Sequence, residues 1–204
     1  QYEEALANER AFQKRYMVDV EQRRGRKVIG TLSGDEGIHP MTAEGLTGLR
    51  TVLQDGTITF GTQTHPADGN AGMLVGSEEQ VARLSEDGNI QIQLLSYGEG
   101  RAEKSHMGMA PVPAAQQALD GAGLTMADIS VVKTHNPFAV NDIYFARQMN
   151  YPAEDMNNYG SSLIYGHPQG PTGLRLVVEM IEELVMKGGG HGLFTGCAAG
   201  DTGA

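Results

Sequence analysis

Apolar and polar positions follow two rhythms along this chain. Ile90, Ile92 and Leu94 alternate with Gln91 and Gln93 inside 88–98, the period of a half-buried strand. Leu174, Val177, Val178, Ile181, Leu184 and Val185 recur at helical spacing and predict the longest helix, over 172–187. Residues 113–122 predict a helix with proline in its first turn, and 138–149 another. Short apolar runs at 129–134 and 191–197 predict buried strands, and 160–165 is small and apolar. Upstream, 57–60 and 70–76 read as short strands. The second leads into Ser77-Glu78-Glu79, a capped start for a helix reaching Leu84.

Strand and helix alternate from residue 57 onward, which predicts a layered α/β domain over 56–204. The first 55 residues lack this rhythm and read as a separate, more polar element. There, 1–15 predicts a helix with a modest apolar stripe, 16–32 alternates weakly, and Thr42 caps a short helix to Arg50. Residue 1 falls inside a helical pattern, and a strand is about to begin at the closing Thr202-Gly203-Ala204. The expectation is a piece of a larger protein whose last strand is truncated.

Composition narrows the class. At 204 residues the chain supports one good core, or one domain with an appendage. A formal charge of −10 leaves no basic face for phosphate contacts and argues against a nucleic-acid partner. The run Arg23-Arg24-Gly25-Arg26-Lys27 reads as a solvated loop. One cysteine excludes an internal disulfide and fits a reducing, cytoplasmic setting; no spanning apolar run points to a membrane. No zinc spacing, phosphate loop or dinucleotide fingerprint is present, so no metal ligands are expected. Glycine, at 28 residues, clusters around polar turns, where it lets backbone approach a ligand.

Chemistry concentrates in three such turns. His135 lies in Thr-His-Asn-Pro-Phe, His167 in Tyr-Gly-His-Pro-Gln-Gly-Pro-Thr-Gly, and Cys197 in Phe-Thr-Gly-Cys-Ala-Ala-Gly. Each follows an apolar run, the place where α/β proteins put active sites. Two imidazoles titrating near neutrality and one thiol suit acyl transfer through a thioester.

These segments resemble the carboxyl-terminal half of a thiolase. Tyr165 to Gly173 is similar to the family's Gly-His-Pro-x-Gly-x-x-Gly, and Gly196 to Gly200 to its Cys-x-Gly-Gly-Gly. Thr134 to Ala139 stands where the family has Asn-Glu-Ala-Phe-Ala, with His-Asp-Cys-Phe in sterol-carrier-type members. Thr59 to Ala71 and His106 to Ala114 resemble two further family segments, in the family's order.

The resemblance implies a thiolase-like α/β/α fold and the second half of a duplicated architecture. It implies that His167 activates a nucleophilic cysteine and donates to the thioester oxygen, and that Cys197 shuttles the substrate α-proton. His135 would donate to an oxyanion or hold its water, and Ala199 would offer a backbone N–H. Thr64, Met107 and His39 would contact the acyl-CoA, and Asn136-Pro137 would alter acyl specificity. The resemblance further implies coenzyme A as a substrate, no covalently bound cofactor, and a homodimer or homotetramer. The family's nucleophile belongs to its amino-terminal half, so this piece alone would not turn over. A ketosynthase is the nearest rival, although ketosynthases lack Cys197's motif. A thiolase-like retro-aldol lyase with an OB-fold partner subunit is the second, and a non-catalytic subunit the third.

Overall fold

The computed structural model describes residues 1–204. Its main sheet has four strands: β3 (Gly100–Arg101), β4 (Ile129–His135), β5 (His191–Ala198) and β6 (Thr202–Gly203), ordered β3-β6-β5-β4. β4 and β5 run parallel, with Lys133 opposite Phe194 and His135 opposite Gly196. β6 lies antiparallel to both β5 and β3.

Helices cover both faces. α4 (Pro111–Ala122) and α5 (Ala139–Met149) pack on one side and α7 (Thr172–Met186) on the other. Successive residues of β5 show the layering, because strand side chains alternate between faces. Leu193 joins Ala115, Leu119, Val132, Phe145 and Met156 in the core, while Gly192 lies against Met180 and Leu184 of α7. A side chain on Gly192 would sit 2.6 Å from the Met180 sulfur, so this position keeps α7 close to the sheet. The fold is the mixed α/β layering that the alternation predicts.

The predicted helices over 113–122, 138–149 and 172–187 form with small shifts at their ends. Residues 160–165 supply the short α6 (Ser162–Tyr165). Two short helices form at the expected starts, the first ending at Thr47, short of Arg50. In α2 (Ala43–Thr47) the Thr42 hydroxyl accepts the Gly45 N–H, and in α3 (Glu78–Leu84) Ser77 and Gln80 make a reciprocal capping box.

Other expectations give way to tertiary context. Residues 57–60 and 70–76 form no strand; only an isolated bridge joins Thr51 to Thr59, and Leu74 and Val75 stand exposed. Residues 88–98 make no ladder either. Pairing of this stretch with the sheet begins only at Gly100, opposite Gly203. A gap of about 400 Å³ lies between Asn89–Ser96 and Gly190–Leu193. An alternating sequence specifies a strand only when a neighbour accepts its hydrogen bonds.

The amino-terminal helix is shorter than predicted. α1 (Tyr2–Arg10) breaks at Ala7, and Asn8, Glu9 and Arg10 take left-handed backbone. The break turns Phe12 inward to stack on Tyr159 at 3.8 Å. The weakly alternating segment is a hairpin of β1 (Val20–Arg24) and β2 (Lys27–Leu32), with the basic run at its exposed tip. The first 35 residues also reach α7: Tyr16 donates to Glu179, and Arg175 forks onto Asp35. No helix is long and apolar enough to cross a membrane.

Candidate active site

The carboxyl ends of β4 and β5 open onto a cavity of about 1080 Å³. Met107, His135, Pro137, His167, Thr172, Cys197 and Ala199 all line it. His135 is the last residue of β4, and Cys197 is next to last in β5. Gly196 lies between them in register; a Cβ there would come within 2.8 Å of the His135 Cβ, so glycine makes room for the ring.

His167 hangs on a separate turn, its ring tilted by 39° against that of His135 at a centroid distance of 4.4 Å. Gly166 before it has φ +92, and a Cβ there would lie 2.7 Å from the Ala67 methyl. One strap braces both turns. Thr64 N–H donates to Pro137 O, Ala139 N–H to Thr62 O, and His167 N–H to His65 O. The Thr64 hydroxyl is spent on Ser162 O, so Thr64 holds the turns together and does not line the cavity. His39 is also outside the lining; it is exposed, with its ring 6.4 Å from that of His65.

Hydrogen bonds assign the proton on each imidazole. The Thr172 hydroxyl donates its single hydrogen to Pro168 O at 2.8 Å. It must therefore accept from His167 Nδ1, also at 2.8 Å, which leaves a lone pair on Nε2. His135 Nδ1 lies 3.2 Å from Cys197 O, which can only accept, so the neutral His135 also carries its proton on Nδ1. Its Nε2 is buried without a partner. Burial and the neighbouring His167 push its pKa down to about 4. At neutral pH His135 can thus accept but not donate at Nε2. Of the two roles expected for it, direct donation to an oxyanion does not fit, and holding a water does.

Cys197 is 6% exposed, and burial pushes its thiol pKa up. Asn141 opposes this, donating an amide N–H to Sγ at 3.3 Å. Asn141 sits in the first turn of α5, and Thr172 in the first turn of α7, whose amino end lines the cavity. Ala199 is exposed, and its N–H makes no backbone bond.

Asn136 turns away from the cavity. It is 2% exposed and bonds Asp142, Ser161 and Ser162, so it ties the His135 turn to the segment before His167. Pro137 alone of that pair faces the cavity. Sequence reasoning passed over Asn141 and Thr172, the direct partners of Cys197 and His167. Thr172 was within reach, five residues after His167 in the same turn; Asn141 carried no such signal. No group of three His, Cys, Asp or Glu side chains is placed to hold a metal ion.

Comparison with known proteins identifies the family. Residues 89–204 match the family model described as thiolase, C-terminal domain. The 3-ketoacyl-CoA thiolase of Vibrio vulnificus is 35% identical over 173 residues, covering 82% of this chain and 44% of that protein. The acetyl-CoA acetyltransferase of Syntrophomonas wolfei is 31% identical, covering 88% and 46%. Among solved structures, the Bacillus anthracis acetyl-CoA acetyltransferase superposes with a TM-score of 0.87 at 27% identity, over 99% of this chain and 50% of that one. Human mitochondrial 3-ketoacyl-CoA thiolase in complex with CoA gives 0.79 at 27% identity, over 99% and 49%. The chain spans about half the length of the relatives it matches.

Proposed function

This chain belongs to the thiolase family, and from that premise we propose that it supplies the acid–base half of a CoA-dependent acyltransferase acting on 3-oxoacyl-CoA. The observation that carries the reading is the convergence of His167, Cys197 and His135 on one cavity, with both imidazole tautomers fixed.

In this reading the acyl-accepting thiol lies outside residues 1–204, because the single cysteine is committed to the second role. The His167 Nε2 lone pair takes the proton of that incoming thiol. The thiolate attacks C3 of the 3-oxoacyl group, and the resulting Nε2–H donates to the thioester oxygen. The C2–C3 bond then breaks, its electron pair stays on C2, and the Cys197 thiol delivers a proton there to release acetyl-CoA. The shortened acyl group stays on the nucleophilic sulfur until a CoA thiol, deprotonated by the Cys197 thiolate, displaces it and His167 returns its proton to the departing sulfur. In condensation the same steps run backward, and the Cys197 thiolate removes the α-proton. His135 holds a water through Nε2, and that water donates to the developing oxyanion. Ala199 N–H offers a second donor. Homologues named 3-ketoacyl-CoA thiolase and acetyl-CoA acetyltransferase support a thiolase-type acyltransferase.

The test is 3-oxoacyl-CoA cleavage by the full-length protein. His167→Ala and Cys197→Ala should each lower kcat by about 10²–10⁴. Near-wild-type turnover in both variants contradicts the reading.

A further inference from the structure

The partner of Cys197 has a feature that acyl transfer alone does not explain. Asn141 is 4% exposed and donates through Nδ2 to the Cys197 sulfur at 3.3 Å. Its other end, Oδ1, is buried with no hydrogen-bond partner. An orphaned buried carbonyl costs about 1–3 kcal/mol, so its persistence calls for a reason. The surroundings treat the two ends alike. Gly108 faces the amide, and a Cβ there would lie 3.4 to 3.5 Å from Nδ2, Cγ and Oδ1. With no side chain on Gly108, the amide can turn over without striking that wall.

A proton-transfer thiol spends part of each cycle as S–H and part as S⁻. A thiolate wants a donor; a thiol wants an acceptor. An asparagine amide carries one of each, exchanged by a half-turn. We propose that Asn141 is a positioning residue that follows the proton of Cys197: Nδ2–H bonds the thiolate, and Oδ1 accepts the S–H of the thiol. Both protonation states of this buried sulfur then find a partner in Asn141. The proposal rests on Cys197 being the proton-transfer group.

Other titratable groups near the pair are accounted for. From β4, His135 bonds the Cys197 carbonyl and not the sulfur. From α5, Asp142 is engaged by Thr134, Asn136 and Asn157. His167 lies with its ring tilted against that of His135. The turn Met107–Met109, which packs on α5, brings no ionisable side chain. Among side chains, the sulfur has Asn141 as its hydrogen-bonding partner.

The test is an ultraviolet titration of the Cys197 thiolate in the full-length protein, read as the difference from Cys197→Ser. Asn141→Leu removes both ends of the amide and should raise the midpoint by about one pH unit, the excess of a charge-assisted hydrogen bond over a neutral one. Asn141→Asp keeps the shape, and its carboxylate should raise the midpoint further. Circular dichroism verifies the fold, and if the leucine variant does not fold, the isosteric aspartate variant decides. A wild-type midpoint in folded Asn141→Asp overturns the proposal. The titration is read without turnover, so an active Cys197→Ala variant would count against the acyl-transfer reading and not against this coupling.

Discussion

His135 links the site's chemistry to the stability of the fold. Its pKa is pushed to about 4 in the native state against 6.5 when solvated, so the unfolded chain binds this proton first as pH falls. The stability tied to neutral His135 is complete above about pH 6.5 and is lost as pH drops toward 4. The loss is at most about 3 kcal/mol. Denaturant unfolding at both ends of that window should show a smaller difference for His135→Asn than for wild type; an equal difference would place the acid sensitivity elsewhere. Thr172 makes the complementary case. Thr172→Val removes the acceptor that keeps the His167 proton on Nδ1, and should lower kcat about tenfold or more with little change in KM. An unchanged kcat would show that the tautomer is set by other means.

At the scale of elements, the helical spacing of α7 was legible and its buried face was not. The apolar stripe through Leu174, Val177 and Ile181 is only half-buried, whereas Glu179 and Glu183 are 0% and 1% exposed. Those carboxylates turn inward to meet Lys133 of β4, at 3.9 and 3.5 Å. The lysine occupies a place that its apolar run presents as hydrophobic core. Pattern reading counts apolar positions and cannot see a charge compensated across two elements. Glu179 also accepts from Arg175 and Tyr16. Glu179→Ala should therefore cost about 3 kcal/mol, because it strips one of two carboxylates from each of the buried cations Lys133 and Arg175. A loss below about 1 kcal/mol, measured by urea unfolding, would contradict this account. The strands at β4 and β5 were legible because each is a dense apolar run between turns. Residues 88–98 were misread because alternation says nothing about whether a partner strand is at hand.

Across the whole molecule, the three reactive turns were legible as motifs, and the bracing that brings them together was not. The strap at residues 62–66 and the hydrogen bonds of Asn136 join segments distant in sequence, a relation no local pattern encodes. The first 35 residues behave likewise: Asp35 holds Arg175 at 2.6 and 2.9 Å, and Arg175 stacks at 3.5 Å on Tyr165, two residues before His167. Asp35→Ala should lower stability by about 3 kcal/mol, visible as a drop in Tm. An unchanged Tm would mean that the amino-terminal segment is only loosely attached. The central claim is that Cys197 carries the substrate α-proton, and exchange of acetyl-CoA methyl protons with D₂O by the full-length protein tests it most directly. Followed by NMR, exchange should proceed in wild type and fall at least about a hundredfold in Cys197→Ala; exchange at the wild-type rate in that variant would contradict the account.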